Sequence, residues 1–306
     1  MKNNAIVLGA NGFIGLNLCY WLLQHDYEVH AISREESFAG EGIFDIDNLS
    51  YSQVDIAQLE ELKRVDFKSA SLIYLFAGQT GTSAGFSKYM DYVNSNEIGL
   101  LNILNTYIAQ EATGRIVFPS TRLVYKGIEG KFLKEDSEKE TKTVYAVNKL
   151  ACENYLFAYS NAYRIPYTVF RICVPYGQLI PGDYSYGTLG FMLNQAKNQG
   201  EISLYGKGEA SRTYTHMKDI CEIVGTVSPM EKSSGQIINI GSKDNYSLFK
   251  LATKIAAQFR AEVNFKDWPA LDLAIESGDT MFDDATLQNI FSYQYQGDLD
   301  TFIQKL

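Results

Sequence analysis

The stretch Ala5-Ile6-Val7-Leu8-Gly9-Ala10-Asn11-Gly12-Phe13-Ile14-Gly15 decides how this chain is expected to fold. Four apolar residues of strand type lead into glycines spaced G-x-x-G-x-x-G, and a segment of helical period, Phe13 to Gln24, follows. Glycines in such a turn let backbone N–H groups approach a pyrophosphate, and the N-terminus of the next helix adds a partial positive charge. Because the turn lies between the first strand and the first helix of a βαβ unit, it predicts dinucleotide binding.

Strand-like and helix-like segments alternate along most of the chain before Pro175. The predicted strands are Ala5 to Leu8, Val29 to Ile32, Leu72 to Ala77, Arg115 to Pro119 and Tyr167 to Ile172. The longest predicted helices are Phe13 to Gln24, Tyr89 to Gln110 and Val144 to Ala162. This alternation with short connections predicts an α/β fold, in which a doubly wound parallel (Rossmann) sheet is covered by helices on both faces.

The domain organisation follows from where this pattern changes. Residues 1–174 are expected to form a dinucleotide-binding Rossmann domain, because the regular alternation ends at Pro175. Residues 214–243 are expected to return to that domain, with Gln236 to Ile240 supplying a strand. Residues 175–213 and 244–306 then form a smaller C-terminal α/β lobe for the substrate.

Length and charge limit the function classes. The chain has 306 residues, 46% of them hydrophobic, and a formal net charge of −9. A nucleic-acid partner is not expected, because binding to a phosphate backbone needs clustered Lys and Arg. The sequence offers no apolar run of membrane-spanning length and no signal-peptide pattern, so a cytoplasmic protein with no membrane partner is expected.

The cysteine pattern predicts neither a metal site nor a disulfide framework. Cys19, Cys152, Cys173 and Cys221 are widely spaced, without a C-x-x-C pair and without a histidine at ligand spacing. Free cysteines are among the most buried residue types, so four reduced and buried thiols are expected.

The end of the second strand bears on the choice of cofactor. An Asp or Glu there accepts the ribose hydroxyls of NAD, whereas this chain has Ser33-Arg34. A guanidinium and a hydroxyl suit the 2′-phosphate of NADP through charge-assisted hydrogen bonds. NADP is therefore the favoured cofactor, with NAD as the alternative, since Glu35 and Glu36 follow immediately.

A second motif carries acid–base chemistry. Tyr145 and Lys149 stand four residues apart in a predicted helix, which places them on the same helical face. An ordinary tyrosine hydroxyl has a pKa near ~10, too high for easy proton transfer at neutral pH. A nearby ammonium group favours the phenolate and lowers that pKa, so this pair is typical of a tyrosine that exchanges protons with a substrate.

A third motif completes a family resemblance. Val117-Phe118-Pro119-Ser120-Thr121-Arg122-Leu123-Val124-Tyr125 is similar to the S-[ST]-x-x-V-Y segment of nucleotide-sugar epimerases and dehydratases. Together, the three motifs resemble the extended short-chain dehydrogenase/reductase superfamily, in its NAD-dependent epimerase/dehydratase branch, over nearly the whole chain. The resemblance implies that Thr121 orients a reacting sugar oxygen, that Tyr145 exchanges its proton, and that Lys149 tunes Tyr145 and holds the nicotinamide ribose.

The resemblance also implies the cofactor site. Asp55 and Ile56 match the family's Asp-hydrophobic pair beside adenine, and the small residues after the fourth strand let the backbone pass beneath the cofactor. The cofactor-binding residues expected from motif and resemblance are Gly9, Asn11, Gly12, Phe13, Ile14, Gly15, Ser33, Arg34, Asp55, Ile56, Phe76, Ala77, Gly78, Tyr145, Lys149 and Pro175.

The expected substrate-binding residues also follow from the resemblance. They are Gln79, Thr80, Thr121, Arg122, Val174 and Arg212. Arg212 lies in a G-x-G-x-x-x-R segment whose Arg points at the substrate diphosphate in the family, and Val174 falls where the family has an Asn. Glu276 stands where relatives often carry a second Arg, so one cationic clamp is missing.

These expectations converge on hydride transfer at a sugar carbon. The favoured reactions are 4-keto reduction or 4-epimerisation of a nucleotide-linked hexose. A 4,6-dehydratase is disfavoured, because Arg122-Leu123 replaces the acidic residues that such enzymes carry after the catalytic Thr. Two alternatives stay open: a reductase of a small non-sugar carbonyl, and a non-catalytic NAD(P)-binding scaffold or sensor. A homodimer is expected through the helices Tyr89 to Gln110 and Val144 to Ala162, as in relatives, and no metal is expected.

Overall fold

A computed structural model describes residues 3–44 and 47–306 of the chain. The strands in this part are β1 Asn4–Leu8, β2 Glu28–Ser33, β3 Leu49–Gln53, β4 Leu72–Leu75, β5 Arg115–Thr121, β6 Phe132–Leu133, β7 Tyr167–Ile172, β8 Val174–Tyr176, β9 Glu201–Tyr205, β10 Ser211–His216, β11 Gln236–Ile240, β12 Asp244–Ser247, β13 Glu262–Lys266 and β14 Met281–Phe282. The helices are α1 Phe13–Gln24, α2 Leu59–Leu62, α3 Ala84–Ser87, α4 Tyr89–Tyr92, α5 Gly99–Ala109, α6 Val144–Tyr163, α7 Gly187–Gln199, α8 Met217–Val227, α9 Leu248–Phe259, α10 Ala270–Ile275, α11 Ala285–Ile290 and α12 Leu299–Gln304.

A parallel sheet forms the centre of the molecule. Within the described residues it has seven strands in the order β3-β2-β1-β4-β5-β7-β11, and each neighbouring pair is parallel. The strand order reverses between β1 and β4, and in such sheets a ligand crevice lies outside the carboxyl ends of the strands at this point. The predicted fold class, a doubly wound α/β sheet, is confirmed.

Two apolar cores lie on opposite faces of this sheet. Alternate residues of β1 point to opposite sides, so Val7 packs with α1 and α8 while Ile6 packs with α2, α5 and α6. Central strands buried on both faces need apolar side chains at nearly every position, which is why β4 is apolar throughout. β7 is also fully buried, but it contains Thr168 and Arg171, whose polar groups are hydrogen-bonded.

A smaller lobe sits at the carboxyl edge of the sheet. Its sheets have the strand orders β12-β10-β8, β13-β9 and β14-β6, and a separate apolar core fills it. β11 lies at the edge of the main sheet beside β7, and the helix before it, α8, packs on α1. The expected boundary at residue 214 falls inside β10, which pairs with strands of the lobe.

The helix expected over Tyr89 to Gln110 contains one irregular turn. α4 continues through a π-helical turn at Val93–Ile98 directly into α5. Such a turn inserts one residue into a helix and is frequent at functional sites. It changes which side chains face the sheet, and an apolar pattern of period 3.6 does not predict it.

Three further features concern the cysteines, the possible membrane spans and the possible metal sites. Cys19, Cys152, Cys173 and Cys221 are all buried and unpaired by disulfides. In the described part of the chain, no helix is both long and apolar enough to cross a bilayer. Among the same residues, no three His, Cys, Asp or Glu side chains are grouped so as to hold a metal ion.

Candidate active site

The glycine-rich turn after β1 is packed too closely for a side chain at Gly9 or Gly15. Gly9 has φ +85°, and a Cβ on it would lie 2.3 Å from the backbone N of Ala77 at the end of β4. A Cβ on Gly15 would lie 2.2 Å from the carbonyl oxygen of Gly9. The N-terminus of α1 is capped by Gly12, which has no side chain to occupy the first-turn amides. This cradle fits the pyrophosphate of a dinucleotide, because backbone N–H groups and the helix dipole both favour an anion there.

A cleft runs along the carboxyl ends of the central strands as two adjoining cavities, of about 230 and 630 Å³. They share the lining residues Gly12, Phe76, Ala77, Gly78, Gln79 and Thr80. The first cavity adds the expected residues Gly9, Asn11, Ser33, Arg34, Asp55 and Ile56. The second cavity adds Phe13, Ile14, Gly15, Thr121, Tyr145, Lys149 and Pro175.

The structure therefore brings together nearly all of the residues that the sequence marked. The exceptions are Arg122, Val174 and Arg212, which line neither of these two cavities. Val174, whose expected substrate contact stays a prediction, is buried in the lobe core. The reason is the two-residue period of β8, which directs Val174 and Tyr176 inward and leaves Pro175 facing the cleft.

The end of β2 presents an acid beside the expected Ser33-Arg34 pair. The Ser33 hydroxyl donates to a carboxylate oxygen of Glu35, and Arg34 Nε lies 3.5 Å from the other oxygen. These contacts outweigh the opposing effect of partial burial and lower the pKa of Glu35. Glu35 lines the first cavity with Arg34, so a carboxylate and a guanidinium face the same end of the cleft.

Tyr145 and Lys149 enter the second cavity from the first turns of α6. Thr143 caps this helix, with its hydroxyl accepting from the Ala146 N–H at 3.0 Å, so the helical phase is set just before Tyr145. Lys149 Nζ donates to the carbonyl oxygen of Pro119 on β5 at 2.8 Å and lies 5.8 Å from the centre of the Tyr145 ring. Thr121, at the end of β5, completes the group.

Burial dominates the electrostatics of this pair. It lowers the pKa of Lys149 to about 8. Burial also raises the pKa of Tyr145 above its ordinary value, the neighbouring Tyr186 adds to the rise, and a hydrogen bond with Thr121 opposes it. The expected lowering of the Tyr145 pKa by Lys149 is not seen, because burial of the tyrosine dominates.

A buried ion pair links α6 to the strand end that carries Thr121. Arg171 on β7 binds Glu153 on α6 in two places, with Nε to Oε1 at 3.0 Å and Nη2 to Oε2 at 2.6 Å. Ser120 also donates to Glu153, and Arg171 Nη1 donates to the Tyr125 hydroxyl at 2.7 Å. The network links α6 to β5 and β7 beside the cleft, so it fixes the position of Tyr145 relative to Thr121.

Sequence reasoning missed two other contributors to the site. Asn96, in the π-helical turn, accepts from the Gln79 N–H at 2.8 Å and donates to the Gln79 carbonyl at 3.2 Å. Tyr186 stacks on Phe13 with ring centres 3.9 Å apart and lines the second cavity. A polar residue inside a long helical pattern was the available signal for Asn96; nothing in the sequence pattern pairs Tyr186 with Phe13.

Comparison with known sequences identifies the family. Residues 5–241 match the model of the NAD dependent epimerase/dehydratase family. An uncharacterised UDP-glucose epimerase of Bacillus subtilis is 24% identical over 299 residues, which cover 94% of this chain and 92% of that protein. The resemblance drawn from the three motifs is confirmed.

Solved structures share the fold over almost the whole chain. The UDP-glucose 4-epimerase of Thermotoga maritima, determined with UDP-glucose, has a TM-score of 0.85 at 20% identity and covers 98% of this chain and 96% of its own. A dTDP-glucose 4,6-dehydratase of Streptomyces venezuelae, determined with NAD bound, has a TM-score of 0.87 at 21% identity and covers 99% and 95%. With the glycine cradle, the continuous cleft and a family model that spans most of its length, this chain belongs to the NAD dependent epimerase/dehydratase family.

Proposed function

We propose that this protein is an NAD(P)-dependent oxidoreductase that reduces a 4-keto group, or epimerises C4, of a nucleotide-linked hexose. One observation carries the proposal: Thr121, Tyr145 and Lys149 line the same cavity that adjoins the glycine cradle of α1. A hydroxyl pair and an ammonium beside a dinucleotide cleft suit the removal or return of a proton at a sugar oxygen. The named substrates of similar proteins, UDP-glucose and dTDP-glucose, support a nucleotide-sugar as the substrate class.

The family resemblance supplies the roles proposed for the three residues, and their common cavity supports them. When bound, the nicotinamide would supply or accept a hydride at the reacting carbon. Thr121 would hold the sugar oxygen by a hydrogen bond, and Tyr145 would exchange the proton on that oxygen. Lys149 would hold a ribose hydroxyl, and with a pKa of about 8 it is mostly charged at neutral pH.

A 4,6-dehydratase is not proposed, although similar proteins include several such enzymes. Elimination across C5 and C6 needs an acid and a base beside the sugar, and this chain has Arg122-Leu123 after Thr121. Arg122 Nη1 is engaged with the Ser277 hydroxyl at 2.8 Å, and a guanidinium does not release a proton near neutral pH.

We propose NADP as the cofactor, with NAD as the alternative. The Arg34 side chain is 62% exposed at the end of the first cavity, so it is free to turn onto a 2′-phosphate. Glu35 favours NAD instead, because its carboxylate suits ribose hydroxyls and repels a phosphate. Mass spectrometry of the cofactor released by denaturing the purified protein separates the two. Stoichiometric NAD would reject the NADP proposal and favour an epimerase, whereas an empty protein that binds NADPH would favour a reductase.

Substitution of Tyr145 tests the proposed chemistry. We expect Tyr145→Phe to lower turnover of UDP- and dTDP-linked hexoses by about 10²–10⁴-fold, because only the exchangeable proton is removed. Cofactor affinity, measured by fluorescence titration, should stay close to that of the unsubstituted protein. Tyr159→Phe, on the same helix and partly buried outside the cleft, is the matched control and should keep full turnover.

Three other outcomes would reject the proposal. Equal turnover of the Tyr145→Phe and Tyr159→Phe variants would remove Tyr145 from the chemistry. Turnover of small ketones but of no sugar nucleotide would favour the non-sugar reductase. Retained cellular function of Tyr145→Phe would favour a non-catalytic scaffold or sensor.

A further inference from the structure

The segment from Glu276 to Thr280 lies between two arginine side chains from distant parts of the chain. Arg122 Nη1 donates to the Ser277 hydroxyl at 2.8 Å and to the Thr280 hydroxyl at 3.3 Å. Arg212 Nη2 donates to Glu276 Oε2 at 3.2 Å. Two guanidinium groups therefore converge on one short loop between α10 and β14.

Two buried donors beside this loop lack a partner. Among the described residues, nothing accepts a hydrogen bond from Arg212 Nε or pairs with the Tyr214 hydroxyl. Arg212 is only 7% exposed and Tyr214 is fully buried, and the two side chains share one face of β10. An unsatisfied buried polar group costs about 1–3 kcal/mol, so a persistent pair of them indicates a place that a ligand completes.

The Glu276 carboxylate is held as a bound oxyanion would be held. Oε2 accepts from Arg212, and Oε1 accepts from the backbone N–H of Gly278 at 3.0 Å. The side chain is 21% exposed, so it has a route to solvent. A guanidinium and a backbone amide that each donate to one oxygen form an oxyanion-binding site, here called the oxyanion seat. It suits any carboxylate or phosphoryl group of similar size.

The charges of the cluster do not cancel. Burial and the neighbouring Arg212 together lower the pKa of Arg122 to about 10, and Glu276 opposes that shift. Two cations thus face one acid. The nearby Asp279 carboxylate is engaged elsewhere, by the backbone N–H groups of Ser211 at 2.7 Å and Gly130 at 2.9 Å. A ligand that brings further negative charge would balance the second guanidinium.

The cluster borders the reaction site. Arg122 directly follows Thr121, which lines the second cavity. Cys173 lines the same cavity, and its thiol donates to the carbonyl oxygen of Thr280 at 3.2 Å. An oxyanion held by the cluster would therefore belong to a molecule whose other part lies at Thr121 and Tyr145.

The family resemblance already implies that Arg212 contacts the substrate diphosphate. We propose that Arg122 supplies a second cation beside it, that the Tyr214 hydroxyl donates to the same oxyanion, and that Glu276 occupies this position until the substrate displaces its carboxylate. The inference deepens the proposed function and rests on it for the identity of the substrate. The oxyanion is either the diphosphate of a nucleotide or a carboxylate on the sugar, since both present oxygens of the required kind. Glu276 would then select for substrates that compete well with a resident carboxylate.

Calorimetric titration tests the proposal without turnover. UDP represents the diphosphate source and glucuronate the carboxylate source, each titrated into protein saturated with NADH or NADPH. We expect Glu276→Gln to tighten binding of one probe by about fivefold or more, because the competing charge is removed while the side-chain shape is kept. Arg122→Gln should weaken the same probe by about tenfold or more, the usual effect of removing a charged hydrogen-bond donor. Arg164→Gln, at an exposed arginine after α6, is the matched control and should change neither affinity.

Tyr214→Phe is a second test variant, which keeps the proposal testable if the Arg122→Gln variant does not fold. It removes a hydroxyl that has no partner in the free protein, so the melting temperature should stay level or rise while the probe binds more weakly. If Glu276→Gln gains affinity for neither probe, the proposal is overturned. If that gain appears but Tyr145→Phe keeps full turnover, the oxyanion seat stands and the proposed chemistry fails, so the two proposals are tested separately.

Discussion

Burial of Lys149 disfavours the charged form of its side chain. Its side chain is 5% exposed and its folded-state pKa is about 8, against an ordinary value of 10.5. Below pH 8 the folded and unfolded chains both hold the proton, so the full penalty of burying the ammonium is present. Between pH 8 and 10.5 the folded chain loses the proton first, and the penalty fades as the pH rises.

We therefore expect Lys149 to make the free energy of unfolding rise with pH. Relative to Lys149→Met, the unsubstituted protein should gain about 3 kcal/mol between pH 7 and pH 10.5, since each unit of pKa shift is worth about 1.4 kcal/mol. Urea unfolding of both proteins across this range measures the difference. Two curves that stay parallel would contradict the shifted pKa.

Gly9 makes a second prediction at the scale of a single residue. Gly9→Ala should lower the free energy of unfolding by about 2–4 kcal/mol, because the methyl group would press on the backbone of Ala77 at a positive φ. Gly130→Ala is the matched control: Gly130 has φ +65°, and no described neighbour lies within 4 Å of the added methyl. The control should lose only about 1 kcal/mol, from backbone strain alone. Equal losses in urea unfolding would reject close packing as the cause.

Among the secondary-structure elements, the π-helical turn between α4 and α5 has the clearest link to the cleft. Its extra residue brings the Asn96 side chain onto the loop after β4, where it binds both backbone groups of Gln79. A regular helix would rotate that side chain by about 100° for each residue. The loop shape at Gly78 and Gln79 thus depends on an irregularity in a neighbouring helix.

Removing this contact should loosen the cleft. We expect Asn96→Ala to lower the free energy of unfolding by about 2 kcal/mol, because it breaks two hydrogen bonds and leaves backbone groups unsatisfied. The same change should weaken cofactor binding several-fold, which fluorescence titration measures. Asn94→Ala, at an exposed position of the same turn, should leave both quantities nearly unchanged. A cleft of unaltered affinity in Asn96→Ala would show that Gln79 is held by other contacts.

At the scale of the whole molecule, the helices beside the cleft expose apolar side chains. Met90 on α4, and Val147 and Phe157 on α6, are exposed, with Phe157 at 60%. Large exposed apolar patches on a folded protein mark interaction surfaces. They agree with the homodimer expected from the family resemblance, which stays a prediction.

Light scattering at micromolar concentration tests this assembly. We expect a dimer mass for the unsubstituted protein and a monomer mass for Phe157→Glu, because a buried carboxylate would oppose association. Phe265→Glu, at a side chain of similar exposure on β13, is the control and should remain dimeric. A monomer mass for the unsubstituted protein would reject the homodimer.

The overall fold was accessible from the sequence because its signals are local. The G-x-x-G-x-x-G turn depends on residues that are neighbours in the chain, and the apolar run of β4 directly indicates burial on both faces. The four-residue spacing places Tyr145 and Lys149 on one helical face for the same reason. Most of the residues expected at the cofactor cleft accordingly line it.

Tertiary structure alone decided what depends on distant parts of the chain. Val174 lies on the face of β8 that packs into the lobe core, and burial lowers the pKa of Lys149 to about 8. Arg212 and Glu276 meet across 64 residues of sequence, and Arg122 reaches Ser277 across 155. Local sequence patterns specify the type of each element and which of its residues share a face. Charge pairing and burial depend instead on how the lobe packs against the central sheet, which residues distant in sequence decide.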